Sequence, residues 1–167
     1  AMPRLTRRNV LIASGGLALA SPAMALLRQT SKPEEIRIAV VGIRNRGRGH
    51  INAFHQLPGV TVVALCDVDT KILEREAAQF QERGEEVATY IDYRDLLERS
   101  DLHAVVLATP NHWHALQTIW ACQAGLDVYV EKPVSHSMLE GVMMVEAARK
   151  HNRIVQTGTQ SRSSHAI

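Results

Sequence analysis

Aromatic residues make up only 4% of this 167-residue chain, so its core must be built from aliphatic side chains and alanine. Cysteine occurs twice, as Cys66 and Cys122, spaced neither as a metal knuckle nor as a Cys-x-x-Cys redox pair; both are expected as buried free thiols. Acidic residues are missing from residues 1–25, which hold Arg4, Arg7 and Arg8, and without that segment the formal charge moves from +2 to −1. The remainder is therefore close to neutral, and nothing in it suggests the basic footprint of a nucleic-acid binder. A long hydrophobic run is missing too. The apolar stretch that begins at Val10 is about fifteen residues long and is softened by Ser14-Gly15-Gly16, too short for a stable membrane span.

What the first segment does hold looks like an address. Thr6-Arg7-Arg8-Asn9-Val10-Leu11 resembles the twin-arginine export motif, a short apolar region follows, and Ala23-Met24-Ala25 fits a small-residue cleavage site. Residues 1–25 are thus expected as an export signal and 26–35 as a polar lead-in, which puts the mature protein in the periplasm or otherwise outside the cytoplasm.

From residue 36 the chain alternates between two patterns. Strands are expected at 36–41, 60–66, 87–91, 104–108, 127–130 and 154–157, and helices at 47–57, 69–81, 93–99 and 112–124. A further helix follows Ser137-Met138-Leu139-Glu140, which has the form of a capping box. Asp69 and Asn111 are placed to cap the helices they precede, and Leu139, Val142, Met143 and Val145 read as a core stripe. Strands alternating with helices in this way predict an α/β fold: a doubly wound parallel sheet of the Rossmann type, forming one domain over 36–160 with a tail at 161–167.

The first strand runs into Gly42-Ile43-Arg44-Asn45-Arg46-Gly47, a turn that would aim the N-terminus of the next helix at a phosphate. The dinucleotide fingerprint Gly-x-Gly-x-x-Gly lacks its middle glycine here. The side chain of Arg44 must therefore point away from a bound pyrophosphate or help to hold it. A P-loop fits the outer glycines, but Arg48 and Gly49 stand where its lysine and hydroxyl should be, so nucleoside triphosphatase chemistry has no magnesium ligand.

Ligands of such sheets bind beyond the carboxyl ends of the strands. That surface gathers the glycine turn, Asp67, Asp92, Thr109-Pro110-Asn111, Glu131-Lys132-Pro133 and the residues up to Gln160. Asp67, twenty residues after Gly47, can accept the adenosine-ribose hydroxyls and repel a 2′-phosphate, which favours NAD over NADP; Arg44, Arg46 and Arg48 blur that preference. A plain helix cap is the other reading of Asp67. His112 and His114 are two apart, a spacing that does not share a helical face, so no metal site is expected.

The runs Ala108-Thr109-Pro110-Asn111-His112-Trp113-His114-Ala115, Asp127-Val128-Tyr129-Val130-Glu131-Lys132-Pro133 and Val155-Gln156-Thr157-Gly158-Thr159-Gln160, with Cys66-Asp67-Val68-Asp69, resemble the glucose-fructose oxidoreductase / inositol dehydrogenase / MocA family, closest to its exported members. The resemblance implies a nicotinamide-binding domain of an oxidoreductase acting on a sugar or polyol hydroxyl, with Lys132 beside nicotinamide and substrate and a cis bond before Pro133. It implies cofactor contacts from Gly42, Ile43, Arg44, Asn45, Arg46, Gly47, Asp67, Thr109, Pro110, Asn111, His114, Glu131, Lys132 and Gln160. A lysine amine desolvated at the sheet's mouth could share the proton of a substrate hydroxyl while hydride moves. The family's second domain, which supplies the substrate pocket, is not found in these residues, and a domain without it is expected to self-associate. Two other functions stay open: a glycosidase that holds NAD tightly and cleaves by transient oxidation, and a solitary dinucleotide-binding module without catalysis.

Overall fold

The computed structural model describes residues 35–163; the expected export signal, nearly all of the lead-in and the end of the tail lie outside the described residues. Six strands form one parallel sheet: β1 (Ile36–Val41), β2 (Val60–Cys66), β3 (Ala88–Tyr90), β4 (Ala104–Leu107), β5 (Asp127–Glu131) and β6 (Val155–Gly158). Their order is β3-β2-β1-β4-β5-β6, so the chain runs outward from β1 in one direction, then crosses back to β4 and runs outward in the other. The switch point therefore lies between the carboxyl ends of β1 and β4, where an open parallel sheet leaves a crevice.

Among the described residues, five α-helices cover the two faces: α1 (Arg46–His55), α2 (Thr70–Glu82), α3 (Tyr93–Leu97), α4 (Asn111–Gln123) and α5 (Met138–Lys150). Alternate residues of a strand face opposite ways. In β1 this sends Ile38 and Val40 into a core with Ile51 of α1 and Leu73 and Phe80 of α2, while Ala39 and Val41 join a second core with α3, α4 and α5. Both faces are apolar, which is why the central strands read as unbroken hydrophobic runs. Leu65 and Leu107 are fully buried, and truncation of either to alanine carries the usual cost of about 2–5 kcal/mol. A bulge in β2 sets the register: Ile38 pairs with Val62 but Ala39 with Ala64.

Local chemistry explains most element ends. Asp69 accepts from the N–H groups of Lys71 and Ile72 at 3.0 and 3.4 Å and so caps α2. Ser137 and Glu140 make the reciprocal capping box of α5. Two expectations are corrected. Asn111 does not cap α4: Pro110 is the capping residue without a side-chain bond, and Asn111 is the first helical residue. The stripe Leu139, Val142, Met143 and Val145 is not core either, being between 48 and 69% exposed, while Met144 and Ala147 make the buried contacts. Apolar residues occur on every side of α5, so periodicity alone singles out no face. Both cysteines are buried free thiols, as expected.

Candidate functional site

The glycine turn is wedged into the switch point. Gly42 takes φ +78° and gives its N–H to the Cys66 carbonyl at 2.8 Å; a Cβ there would sit 2.8 Å from the Ala108 carbonyl carbon and the Thr109 nitrogen. A Cβ on Gly47 would come within 1.9 Å of the Gly42 oxygen. Only glycine at both positions lets the turn lie against the end of β4 and begin α1 at Arg46. The missing middle glycine is compensated by direction: Arg44 turns outward into an ion pair with Asp69, holding that carboxyl below its usual range with help from the α2 backbone. Asn45 absorbs the remaining bend with φ +34°.

Asp67 stands at the end of β2 and is already partly engaged. Its Oδ2 accepts the Ile43 N–H at 2.9 Å and its Oδ1 the Asp69 N–H at 3.0 Å. The carboxylate thus braces the turn and keeps lone pairs for another donor, so the plain helix cap is Asp69 and not Asp67. Arg48 reaches the buried Glu76 at 3.4 Å, so two of the three arginines near the turn are committed to carboxylates of the α2 segment.

On the other side of the switch point is a cleft of about 520 Å³. It brings together seven of the expected residues: Arg46 from α1, Thr109, Asn111 and His114 from the β4–α4 segment, Glu131 and Lys132 from β5 and its exit, and Gln160 beyond β6. Gly42, Ile43, Arg44, Asn45, Gly47, Asp67 and Pro110 are not among the residues lining the cleft. His114 is 2% exposed and bridges two loops, its Nδ1 2.7 Å from the Pro133 carbonyl and its Nε2 2.8 Å from that of Thr109. Both ring nitrogens are used in this way, which leaves none for a metal. Thr109 donates its hydroxyl to Gln117 at 2.6 Å. The Lys132–Pro133 bond is cis. Lys132 is exposed, so the described residues do not supply the desolvation expected for its amine.

Glu131 is the hub of the cleft. Its Oε1 accepts from Arg46 Nε and His50 Nε2, both at 2.8 Å, and from the Gln160 amide; its Oε2 accepts the Lys132 N–H at 3.3 Å. Burial favours the neutral acid, yet the bonds from Arg46 and His50 outweigh it and hold the carboxyl below its usual range. Burial also lowers His50, more than its bond to Glu131 raises it. The pair is therefore a carboxylate and a neutral imidazole that donates from Nε2. Sequence reasoning missed His50 because its partner is 81 residues away. It also missed Ala108, which lines the cleft and lies with its backbone against Gly42.

A nicotinamide dinucleotide fits this arrangement on two grounds: a tight strand-to-helix turn that presents the N-terminus of α1, and a carboxylate at the end of β2 with lone pairs to spare. The comparison with known families agrees. The model of the GFO_IDH_MocA oxidoreductase family, described as an NAD-binding Rossmann fold, matches residues 36–159. The chain belongs to this family. Among its relatives is glycosyl hydrolase family 109 protein 2 of Shewanella sp. (strain ANA-3), 34% identical over 127 residues, which span 73% of this chain and 28% of that protein. The crystal structure of myo-inositol 2-dehydrogenase from Lactobacillus plantarum superposes with a TM-score of 0.70 at 31% identity, over 78% of this chain and 38% of the other. The WlbA dehydrogenase of Chromobacterium violaceum, solved in complex with NADH and UDP-GlcNAcA, gives a TM-score of 0.70 at 28% identity over 79% and 37%. This oxidoreductase-family chain thus spans about a third of the length of these relatives, and the part it spans is their NAD-binding Rossmann domain.

Proposed function

We propose that the chain is the cofactor-binding part of an NAD-dependent oxidoreductase that oxidises a hydroxyl of a sugar or polyol, with Lys132 as the residue that shares the hydroxyl's proton. The observation that carries this reading is the cleft itself, in which Lys132 and Asn111 lie across the switch point from the head of α1. Bound NAD would supply the hydride acceptor. The chain's own residues bind and orient: the glycine turn and α1 take the diphosphate, Asp67 the adenosine ribose, and His114 keeps the loops after β4 and β5 in register. Further domains would have to close over Lys132 to exclude water and define the substrate.

NAD is favoured over NADP because the Asp67 carboxylate, fixed by two backbone N–H groups at the end of β2, would repel a 2′-phosphate, and Arg44 is engaged with Asp69. The arginine pair and the short apolar run of the first 25 residues support export, and folding around the cofactor before export suits a protein that must collect NAD inside the cell. Native mass spectrometry of the gently purified chain, beside Asp67→Arg, tests the cofactor reading. NAD(H) carried by the native chain and lost from the variant is the expected result; no mass shift on either, with millimolar NAD or NADP added, overturns it. The second reading, hydrolysis with retained NAD, is favoured by the 34% identity to a glycosyl hydrolase family 109 protein. Turnover of a glycoside by the enzyme containing this domain, with no added electron acceptor, would select it.

A further inference from the structure

The sheet has an edge that nothing among the described residues covers. β3 is its outermost strand on the side of α2, and it pairs with β2 alone. A residue in a parallel strand turns its N–H and its carbonyl to the same side, and its neighbours turn theirs the other way. The Tyr90 carbonyl accepts the Asp67 N–H at 3.1 Å, so Ala88 and Tyr90 serve the ladder with β2 while Thr89 directs both groups outward. Natural edges are commonly blunted by proline, by lysine or by a covering segment. Val87-Ala88-Thr89-Tyr90-Ile91 holds no proline and no charge, and Ile91 is 57% exposed.

Beside that edge, α2 leaves room for another strand. A groove of about 470 Å³ lies between them, with Leu73, Ala77 and Ala78 on the helix side and Thr89 and Ile91 on the strand side. The helix residues recur three and four apart and so form one stripe, kept shallow by the two alanines. Side chains of an added strand would lie on that stripe. The surroundings are acidic: residues 70–92 carry six carboxylates and three cations. Arg75 and Arg83 are already paired with Glu76 and Glu85. Glu74, which lines the groove, and Glu86, just before the strand, have no partner among the described residues. A second copy of the chain fits this edge poorly. Antiparallel pairing of two β3 strands about Thr89 sets Glu86 of one opposite Asp92 of the other, like charge against like.

We propose that the β3 edge and this groove dock an extended peptide segment of a partner protein. The segment adds a strand beside Thr89, lays apolar side chains over Ala77 and Ala78, and carries lysine or arginine against Glu74 and Glu86. Backbone bonds give such a site its affinity, and alternate side chains its selectivity. β3 stands at the opposite edge of the sheet from β5 and β6, so the proposal is independent of the cofactor reading.

An NMR titration of the ¹⁵N-labelled full chain tests this, with the blocked peptide Lys-Thr-Val-Thr-Val-Thr-Lys as the probe. Saturable shifts at Val87–Ile91 and along the α2 stripe are the expected result. The same peptide with glutamate in place of both lysines should bind at least tenfold more weakly, and one with methylated backbone nitrogens, which keeps the side chains and loses the donors, should not bind. In the chain, Ala78→Leu fills the groove from an exposed helical position, and Thr89→Pro removes the outward N–H without a ladder bond; each should weaken the lysine peptide at least tenfold. If Thr89→Pro does not fold, Ala78→Leu decides. No saturable shift at millimolar peptide overturns the proposal. Equal binding of the glutamate or methylated peptide, or native affinity in Ala78→Leu, overturns it too. Shifts at Val87–Ile91 that grow with protein concentration in the absence of peptide assign the edge to a second copy and overturn the peptide reading.

Discussion

Two glycines of α1 separate the demands of the turn from those of the helix. A methyl group on Gly49 meets nothing within 4 Å, whereas one on Gly47 lies 1.9 Å from the Gly42 carbonyl oxygen and 2.8 Å from its carbon. Neither position has a positive φ. Gly49→Ala therefore changes only backbone freedom and should stabilise the domain by roughly 0.5–1 kcal/mol. Gly47→Ala must push the Gly42 carbonyl away by about 1.5 Å to restore van der Waals contact. That carbonyl has no free path, because Gly42 already lies against the backbone of Ala108 and Thr109. Overpacking of this kind costs about 1–3 kcal/mol, more than the entropic gain returns. At about 2–4 °C per kcal/mol for a domain near this size, the melting temperature rises slightly in one variant and falls by several degrees in the other. Circular-dichroism melts measure the sign, and NAD titration should show at least a tenfold loss for Gly47→Ala alone. A Gly47→Ala protein as stable as Gly49→Ala, with native affinity for NAD, would refute the wedge at the switch point.

The lowered pKa of His50 makes a pH prediction. Its folded value lies below the unfolded 6.5, so the unfolded chain binds the extra proton first, and stability falls as pH drops from about 6.5. Glu131, also lowered, adds its loss only below the unfolded carboxylate range near 4.5. His50→Gln, facing Arg46 and Glu131 and packed beside Phe54 and Tyr129, should flatten the stability curve between roughly pH 6.5 and 5; an unchanged slope in urea titrations counts against the buried pair. The thiols should be silent: burial first, then Asp67, Asp92 and Asp95, pushes Cys66 up to about 12, and burial also raises Cys122. Neither should react with a disulfide reagent at pH 8 until urea unfolds the chain, and native-state labelling at the rate of a free thiol would contradict the packing.

Much of this molecule is legible in its sequence. The apolar runs of β1, β2 and β4, Asp69 before α2 and the Ser137-Glu140 capping box are local signals, each set by residues within a few positions of one another, and the elements they predict are present. The family was legible for the same reason, since its short motifs survive as contiguous runs. Alternation of strands and helices was enough for a parallel sheet, because parallel strands require crossovers of that length.

Tertiary structure alone decided the rest. Which side of α5 is buried depended on what packs against it, and the answer was Met144 and Ala147 rather than the stripe that the pattern suggested. That Arg44 turns away while Arg46 faces the cleft follows from the positions of Asp69 and Glu131, which lie 25 and 85 residues further along. The same holds for His50, an unremarked helical histidine until β5 brings Glu131 to its Nε2. Sequence determines which groups exist and which elements form, because those depend on neighbours along the chain. Charge pairing across the sheet depends on neighbours in space, and only the packed fold selects them.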